Sequence, residues 1–109
     1  MTIYNKLIRD RIPEIIQESG GECVVEVLTE QDYLKELQRK GQEELNEYLA
    51  ASNPEEVIEE LADLLEVIYG LTHCHGLSIE ELEKVRQYKK NKRGAFDKRL
   101  FLIEVRKKD

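Results

Sequence analysis

Four acidic side chains at helical spacing carry the clearest chemistry in this sequence. They form two pairs, one on each side of Asn53-Pro54: Glu44 with Glu47, and Glu60 with Asp63. Residues three apart are neighbours on a helix surface, so each pair can direct two carboxylates towards one point. Two helices joined by a short turn can face each other, and the four carboxylates would then converge. Carboxylate oxygens are the ligands that hard cations such as Mg²⁺ or Mn²⁺ prefer, so the spacing indicates a metal site.

The apolar pattern separates these four acids from their neighbours. With about 3.6 residues per turn, Glu44 borders the apolar stripe of the first helix, and Glu47 lies one step further round the same flank. Glu60 and Asp63 lie on one flank of a broad apolar stripe in the second helix, whereas Glu43 points away from the first stripe. Charged residues are 37% of the chain, and acid-rich helices are usually solvated faces. That interpretation stays open beside the metal site.

Capping residues predict the helices that would position these acids. Thr29 followed by Asp32, and Ser78 followed by Glu81, have the spacing of an N-terminal cap. Asn53-Pro54 forms a turn in which Asn caps the next helix and Pro suits its first position. The predicted helices cover about residues 12–18, 30–51, 54–75 and 79–93.

Two short segments have the composition of β-strands. Residues 23–28 (CVVEVL) and 100–105 (LFLIEV) are rich in β-branched and apolar side chains. A lone strand needs a partner, and each segment is the obvious partner of the other. We therefore expect a mainly α fold, a helical bundle with a short two-stranded β addition. No linker or repeat divides the chain, so residues 1–109 should form a single domain.

Charge and composition exclude several classes of function. The net charge is −6, which makes the chain a poor general binder of nucleic acid. No apolar run approaches the ~20 residues of a membrane span, and charges interrupt the start where a signal peptide would be apolar. Two cysteines are too few for a disulfide scaffold, so we expect reduced thiols and a cytoplasmic location. Broad apolar stripes on a short chain further predict a homodimer or a dimer-based tetramer.

Three segments of the chain resemble one known family. The E-x-x-E and E-x-x-D pairs, with a twelve-residue gap, resemble the metal-binding signature of the all-α NTP pyrophosphohydrolases. This is the MazG-like superfamily, which includes phosphoribosyl-ATP pyrophosphohydrolase. The N-terminal stretch YNKLIRDRIPEII resembles a house-cleaning subgroup of nucleotide pyrophosphatases, and KKNKRGAF resembles a basic segment that follows the helices in such proteins.

The resemblance implies a helical bundle that hydrolyses a nucleoside triphosphate to a monophosphate and pyrophosphate with Mg²⁺, or Mn²⁺, as cofactor. Glu44, Glu47, Glu60 and Asp63 would be the metal ligands and the catalytic residues, and Glu43 and Glu56 are candidates for the proton acceptor. Five cations would bind the substrate phosphates: Arg9, Lys40, Lys89, Lys92 and Arg93. Surface charge, or cations that complement a helix end, remains the alternative for the basic residues.

The substrate stays open at this point. The N-terminal stretch favours non-standard or damaged nucleotides, and phosphoribosyl-ATP in histidine biosynthesis is the alternative. A third possibility comes from a different class, a non-catalytic helical module for dimerisation or interaction.

Overall fold

Four helices account for the regular structure of residues 2–107, the part of the chain that the computed structural model describes. They are α1 (Ile12–Glu18), α2 (Glu30–Ala50), α3 (Pro54–Cys74) and α4 (Ile79–Arg93). Their ends agree with the predicted ones to within a residue, because the capping residues are local signals.

The three longer helices begin at side-chain caps. A backbone N–H three residues further on donates to the cap in each case, at 3.2 Å for Thr29, 2.9 Å for Asn53 and 3.1 Å for Ser78. Each cap satisfies one of the N–H groups that a helix start leaves without a partner. Residues 51–53 connect α2 to α3, and α3 packs along α2.

Two glycines allow α2 and α3 to pack closely. A Cβ atom on Gly70 would lie 3.3 Å from the Cδ atoms of Leu37, and one on Gly41 would lie 3.4 Å from Cγ1 of Val67. Leu37 and Val67 are the buried hydrophobic residues of the described chain. Residue 37 thus lies opposite residue 70 and residue 41 opposite residue 67, which is an antiparallel register. The same register brings residues 44 and 47 opposite the 60–63 segment.

The expected two-stranded β addition is wrong. Residues 2–107 contain no strand, and no backbone hydrogen bond links residues 23–28 to residues 100–105. Val24 and Val27 are fully exposed, and every residue from 100 to 105 is exposed. β-Branched composition favours an extended backbone, but a strand also needs a second segment within hydrogen-bonding distance, and neither segment has one among residues 2–107.

The rest of the chain packs little on the helical hairpin that α2 and α3 form. α4 makes only a small contact with α3, and every residue from 83 to 107 is exposed. The radius of gyration is 19.2 Å, whereas a compact chain of this length would have about 13 Å. None of the helices within residues 2–107 combines the length and the apolar character that crossing a membrane requires.

Candidate metal centre

The helical hairpin brings three of the predicted carboxylates to one point. Glu44 on α2 and Glu60 and Asp63 on α3 each offer an oxygen within 4.8 Å of the others. Glu44 is buried, and Glu60 and Asp63 are half-buried. Glu47 joins them from the next turn of α2, where it lies within hydrogen-bonding reach of Glu60. The structure therefore brings Glu44, Glu60 and Asp63 together and places Glu47 beside Glu44.

The negative charge of this cluster is not fully balanced by nearby cations. The hydrogen bond with Glu47, then burial and the proximity of Glu44, raise the pKa of Glu60 from 4.5 to about 7. Burial, followed by the nearby Glu47, raises the pKa of Glu44 as well. When both carboxylates are ionised, Glu44 Oε2 and Glu60 Oε2 are buried and have no hydrogen-bond partner. Buried carboxylate oxygens without a donor are costly, and a divalent cation is the group that would satisfy them. The residues present therefore fit a hard metal ion.

Two of the predicted substrate-binding cations contact this cluster. Arg9, in the segment before α1, places Nη2 2.6 Å from Oδ1 of Asp63. Lys40 Nζ lies 3.6 Å from Oε1 of Glu44 and 3.8 Å from Oε1 of Glu43. The Arg9 contact joins residues 54 positions apart, and no local pattern in the sequence indicated it. These cations reduce the negative charge at the rim of the cluster and leave the two buried oxygens without a partner.

The structure does not bring the basic segment at the end of α4 to the acids. Within residues 2–107, no hydrogen bond or ion pair joins Lys89, Lys92 or Arg93 to the cluster. Lys92 instead lies 5.7 Å from the ring centre of Tyr88, and its Nζ is 3.4 Å from the Tyr88 hydroxyl. All these side chains are exposed.

The two candidates for the proton acceptor differ in their surroundings. Glu56 Oε2 accepts a hydrogen bond from the backbone N–H of Ser52 at 3.1 Å, so its carboxylate belongs to the cap of α3. The sequence held part of this signal, because an acid three residues after the capping Asn53 has the spacing of a capping box, although Glu56 accepts from Ser52 and not from Asn53. Glu43 is exposed, yet it offers an oxygen within 4.8 Å of those of Glu44 and Glu47. Glu43 therefore lies at the rim of the cluster, although the helical wheel predicted that its side chain points towards water.

The fold and the site define an all-α chain with a cluster of carboxylates between two antiparallel helices, a cluster that could bind a metal ion. The family model for phosphoribosyl-ATP pyrophosphohydrolase matches residues 3–89. The chain belongs to this family, and thereby to the MazG-like all-α NTP pyrophosphohydrolase superfamily, so the predicted resemblance is confirmed. The match includes the four carboxylates, Arg9 and Lys40, and it ends before Lys92 and Arg93.

The other comparisons add less. A protein of Mycolicibacterium smegmatis, described as uncharacterised, is 39% identical over 54 residues, which are 50% of this chain and 55% of that protein. The chain thus spans about half the length of this relative. No solved structure gave a significant match.

The family is described by the name phosphoribosyl-ATP pyrophosphohydrolase. Proteins of this family act on nucleotides and depend on a metal ion. The acidic cluster between α2 and α3 is a group of residues that could bind this metal.

Proposed function

We propose that this chain is a Mg²⁺-dependent nucleoside triphosphate pyrophosphohydrolase that releases a nucleoside monophosphate and pyrophosphate, and that it acts on non-standard or damaged nucleotides. The observation that carries the proposal is the cluster of Glu44, Glu47, Glu60 and Asp63, with two buried oxygens that have no partner. Like charges that lie close together destabilise the fold, and a bound divalent cation would offset their repulsion.

The four carboxylates would hold the metal, and each would contribute at least one oxygen. Mg²⁺ bound there would neutralise phosphate charge and acidify a water molecule that attacks phosphorus. Glu43 is the better placed acceptor for the proton of that water, because Glu56 is hydrogen-bonded to Ser52. The attack breaks the phosphoanhydride bond between the α- and β-phosphates, and pyrophosphate leaves.

The cations of this chain would bind the rest of the phosphate charge. Arg9 and Lys40 already contact the cluster, and the planar guanidinium of Arg9 suits a bidentate contact with a phosphate. Lys89, Lys92 and Arg93 supply further positive charge for the developing negative charge of the transition state. We also propose that the enzyme acts as a homodimer or a dimer-based tetramer, in support of which wide apolar surfaces stay exposed on a single chain.

The preference for non-standard nucleotides is supported by the N-terminal stretch that contains Arg9, because this stretch resembles the house-cleaning subgroup. Phosphoribosyl-ATP is the alternative substrate, and the description of the matching family supports it.

A panel of nucleotides with Mg²⁺, scored for pyrophosphate release, tests the proposal. The panel contains the common nucleoside triphosphates, oxidised and deaminated ones, and phosphoribosyl-ATP. We expect the highest kcat/KM on a modified triphosphate, and no release by Glu60→Gln. Preferred cleavage of phosphoribosyl-ATP would establish the alternative substrate. A folded chain that cleaves no member of the panel would contradict the assignment as an enzyme.

A further inference from the structure

The ion pair between Arg9 and Asp63 differs from the other ion pairs of residues 2–107. Nη2 of Arg9 lies 2.6 Å from Oδ1 of Asp63, and the two residues are 54 positions apart. Each of the other pairs joins side chains no more than four positions apart. Such local pairs require only neighbouring positions along the chain, whereas this one requires the segment before α1 to lie against α3. The fold therefore places a cation on one particular carboxylate of the acidic cluster.

Arg9 contacts the cluster from its solvent side. Its side chain is 60% exposed and that of Asp63 is 40% exposed, whereas Glu44 is buried. Oε2 of Glu44 and Oε2 of Glu60 have no hydrogen-bond partner, so the guanidinium does not satisfy them. Asp63 also offers an oxygen within 4.8 Å of those of Glu44 and Glu60. Arg9 thus pairs with a carboxylate that a metal ion in this cluster would share.

A count of charges indicates when Arg9 can bind a phosphate. The four carboxylates of the cluster carry four negative charges when ionised, and Arg9 and Lys40 beside them carry two positive charges. The two remaining negative charges repel a polyphosphate, which is itself an anion. A bound divalent cation would balance these two charges. The positive charge of Arg9 is then no longer required by the carboxylates, and it is available to a phosphate group.

A metal ion on Asp63 would also compete with Arg9 for that carboxylate. Both cations would lie within a few ångströms of the same oxygens, well inside the screening length of about 10 Å at 0.1 M salt, so they repel each other. The ion pair of Arg9 is exposed, and exposed ion pairs are weak. Asp63 can therefore exchange this pair for a metal ion at little cost.

The structure holds the backbone of Arg9 and leaves its side chain free to turn. The carbonyl oxygen of Arg9 accepts a hydrogen bond from the N–H of Ile12 at 3.1 Å, in the turn that leads into α1. Leu7 and Ile8, the two residues before it, are half-buried. The guanidinium, in contrast, stands on a flexible and mostly exposed stem. It can leave Asp63 by rotation of its own side chain, without movement of the segment that carries it.

We propose that Arg9 exchanges partners: it holds Asp63 while no metal ion is bound, releases Asp63 to a divalent cation, and then binds a phosphate group of the nucleotide. Its planar guanidinium suits both partners, because carboxylate and phosphate oxygens accept the same pair of parallel N–H donors. The exchange imposes an order in which the metal ion binds before Arg9 engages the phosphate. The phosphate step rests on the proposed function, whereas the release of Asp63 does not.

Calorimetric titration with Mg²⁺ alone tests the release of Asp63 without any activity. Arg9→Ala should bind Mg²⁺ more tightly than the wild type, by up to about fivefold, because the competing ion pair is gone. Arg11→Ala is the charge-matched control, since Arg11 lies two residues away and pairs with its neighbour Glu14 at 3.1 Å. It should change the affinity less. Weaker binding by Arg9→Ala would show that Arg9 supports the metal site, and equal effects of the two variants would show only a general loss of charge. Either result would overturn the proposal.

Nuclear magnetic resonance of the guanidinium groups tests the same step in the wild type. Arginine side chains are labelled with nitrogen-15, and the Arg9 signal is assigned as the one missing from Arg9→Lys. We expect Mg²⁺ to shift the signal of Arg9 and to leave that of Arg11 in place. An Arg9 signal that is the same in chelator and in saturating Mg²⁺ would contradict the exchange, even if Arg9→Ala fails to fold.

Inorganic pyrophosphate tests the phosphate step, because it has phosphate oxygens and no base. With excess Mg²⁺, pyrophosphate should shift the Arg9 signal a second time, and in chelator it should not. Arg9→Ala should weaken its binding about tenfold or more, the effect of a lost hydrogen bond to a charged group, and Arg11→Ala should not. No second shift would refute the phosphate step. If the wild type cleaves no nucleotide, the proposed function fails, and the titrations with Mg²⁺ still decide whether Arg9 releases Asp63.

Discussion

Glu60→Gln should be more stable than the wild type without metal, and less stable than the wild type when Mg²⁺ is bound. Without metal, the hydrogen bond with Glu47 and burial raise the pKa of Glu60 from 4.5 to about 7. The folded chain therefore holds a proton that the unfolded chain has lost between these pH values. This stabilising contribution is complete below pH 4.5, and it is lost as the pH rises to about 7. Glutamine is neutral throughout, so in a chelator Glu60→Gln should become progressively more stable than the wild type over this range.

At pH 7 and above, saturation with Mg²⁺ should make the wild type more stable than Glu60→Gln. Binding to the folded state alone adds about 2.7 kcal/mol at 100 times the dissociation constant, and each kcal/mol moves Tm by about 4–8 °C in a domain of this size. The wild-type Tm should therefore rise by about 10–20 °C. Glu60→Gln, which lacks one charged ligand, should show a much smaller rise.

Thermal unfolding followed by circular dichroism between pH 4 and 8, with chelator or Mg²⁺ at fixed protein concentration, measures both effects. Glu59→Gln is the control, because Glu59 is an exposed neighbour on the same helix and lies outside the cluster. It should follow the wild type in both series. The reasoning is refuted if the difference in Tm between wild type and Glu60→Gln stays constant with pH, or if Mg²⁺ stabilises both equally.

Three further predictions concern the site and the helices around it. Asp63→Asn should abolish pyrophosphate release while the far-ultraviolet circular dichroism stays that of the wild type, and substantial residual turnover would remove Asp63 from the ligand set. Arg93→Ala should lower kcat/KM on the order of a hundredfold, about 3 kcal/mol, with little change in Tm. Lys107→Ala serves as its charge-matched control, and equal, near-wild-type kinetics for the two variants would show that the segment is ordinary surface. Asn53→Ala should lower the free energy of unfolding by about 1 kcal/mol, since it removes the cap to the Glu56 N–H, and urea denaturation measures this loss.

Spacing and capping were enough to predict the helices and the grouping of three of the four acids. Helix periodicity is a local property, and the turn at Asn53-Pro54 is a local signal. Once two amphipathic helices are joined by so short a turn, they pack antiparallel, and acids on the edges of their apolar faces must meet. Glu44, Glu60 and Asp63 therefore lie together as the spacing predicts.

Contacts between distant segments were decided by the tertiary structure alone. The ion pair of Arg9 with Asp63 joins residues 54 positions apart, and no local pattern encodes such a distance. The segments 23–28 and 100–105 have strand composition, but whether they pair depends on where the rest of the chain places them, and in the single chain they stay apart. The raised pKa of Glu60 likewise depends on Glu47 and on burial between two helices. The sequence by itself thus determined which residues could do chemistry, and the packing of α2 on α3 decided their partners and raised the pKa of Glu44 and Glu60.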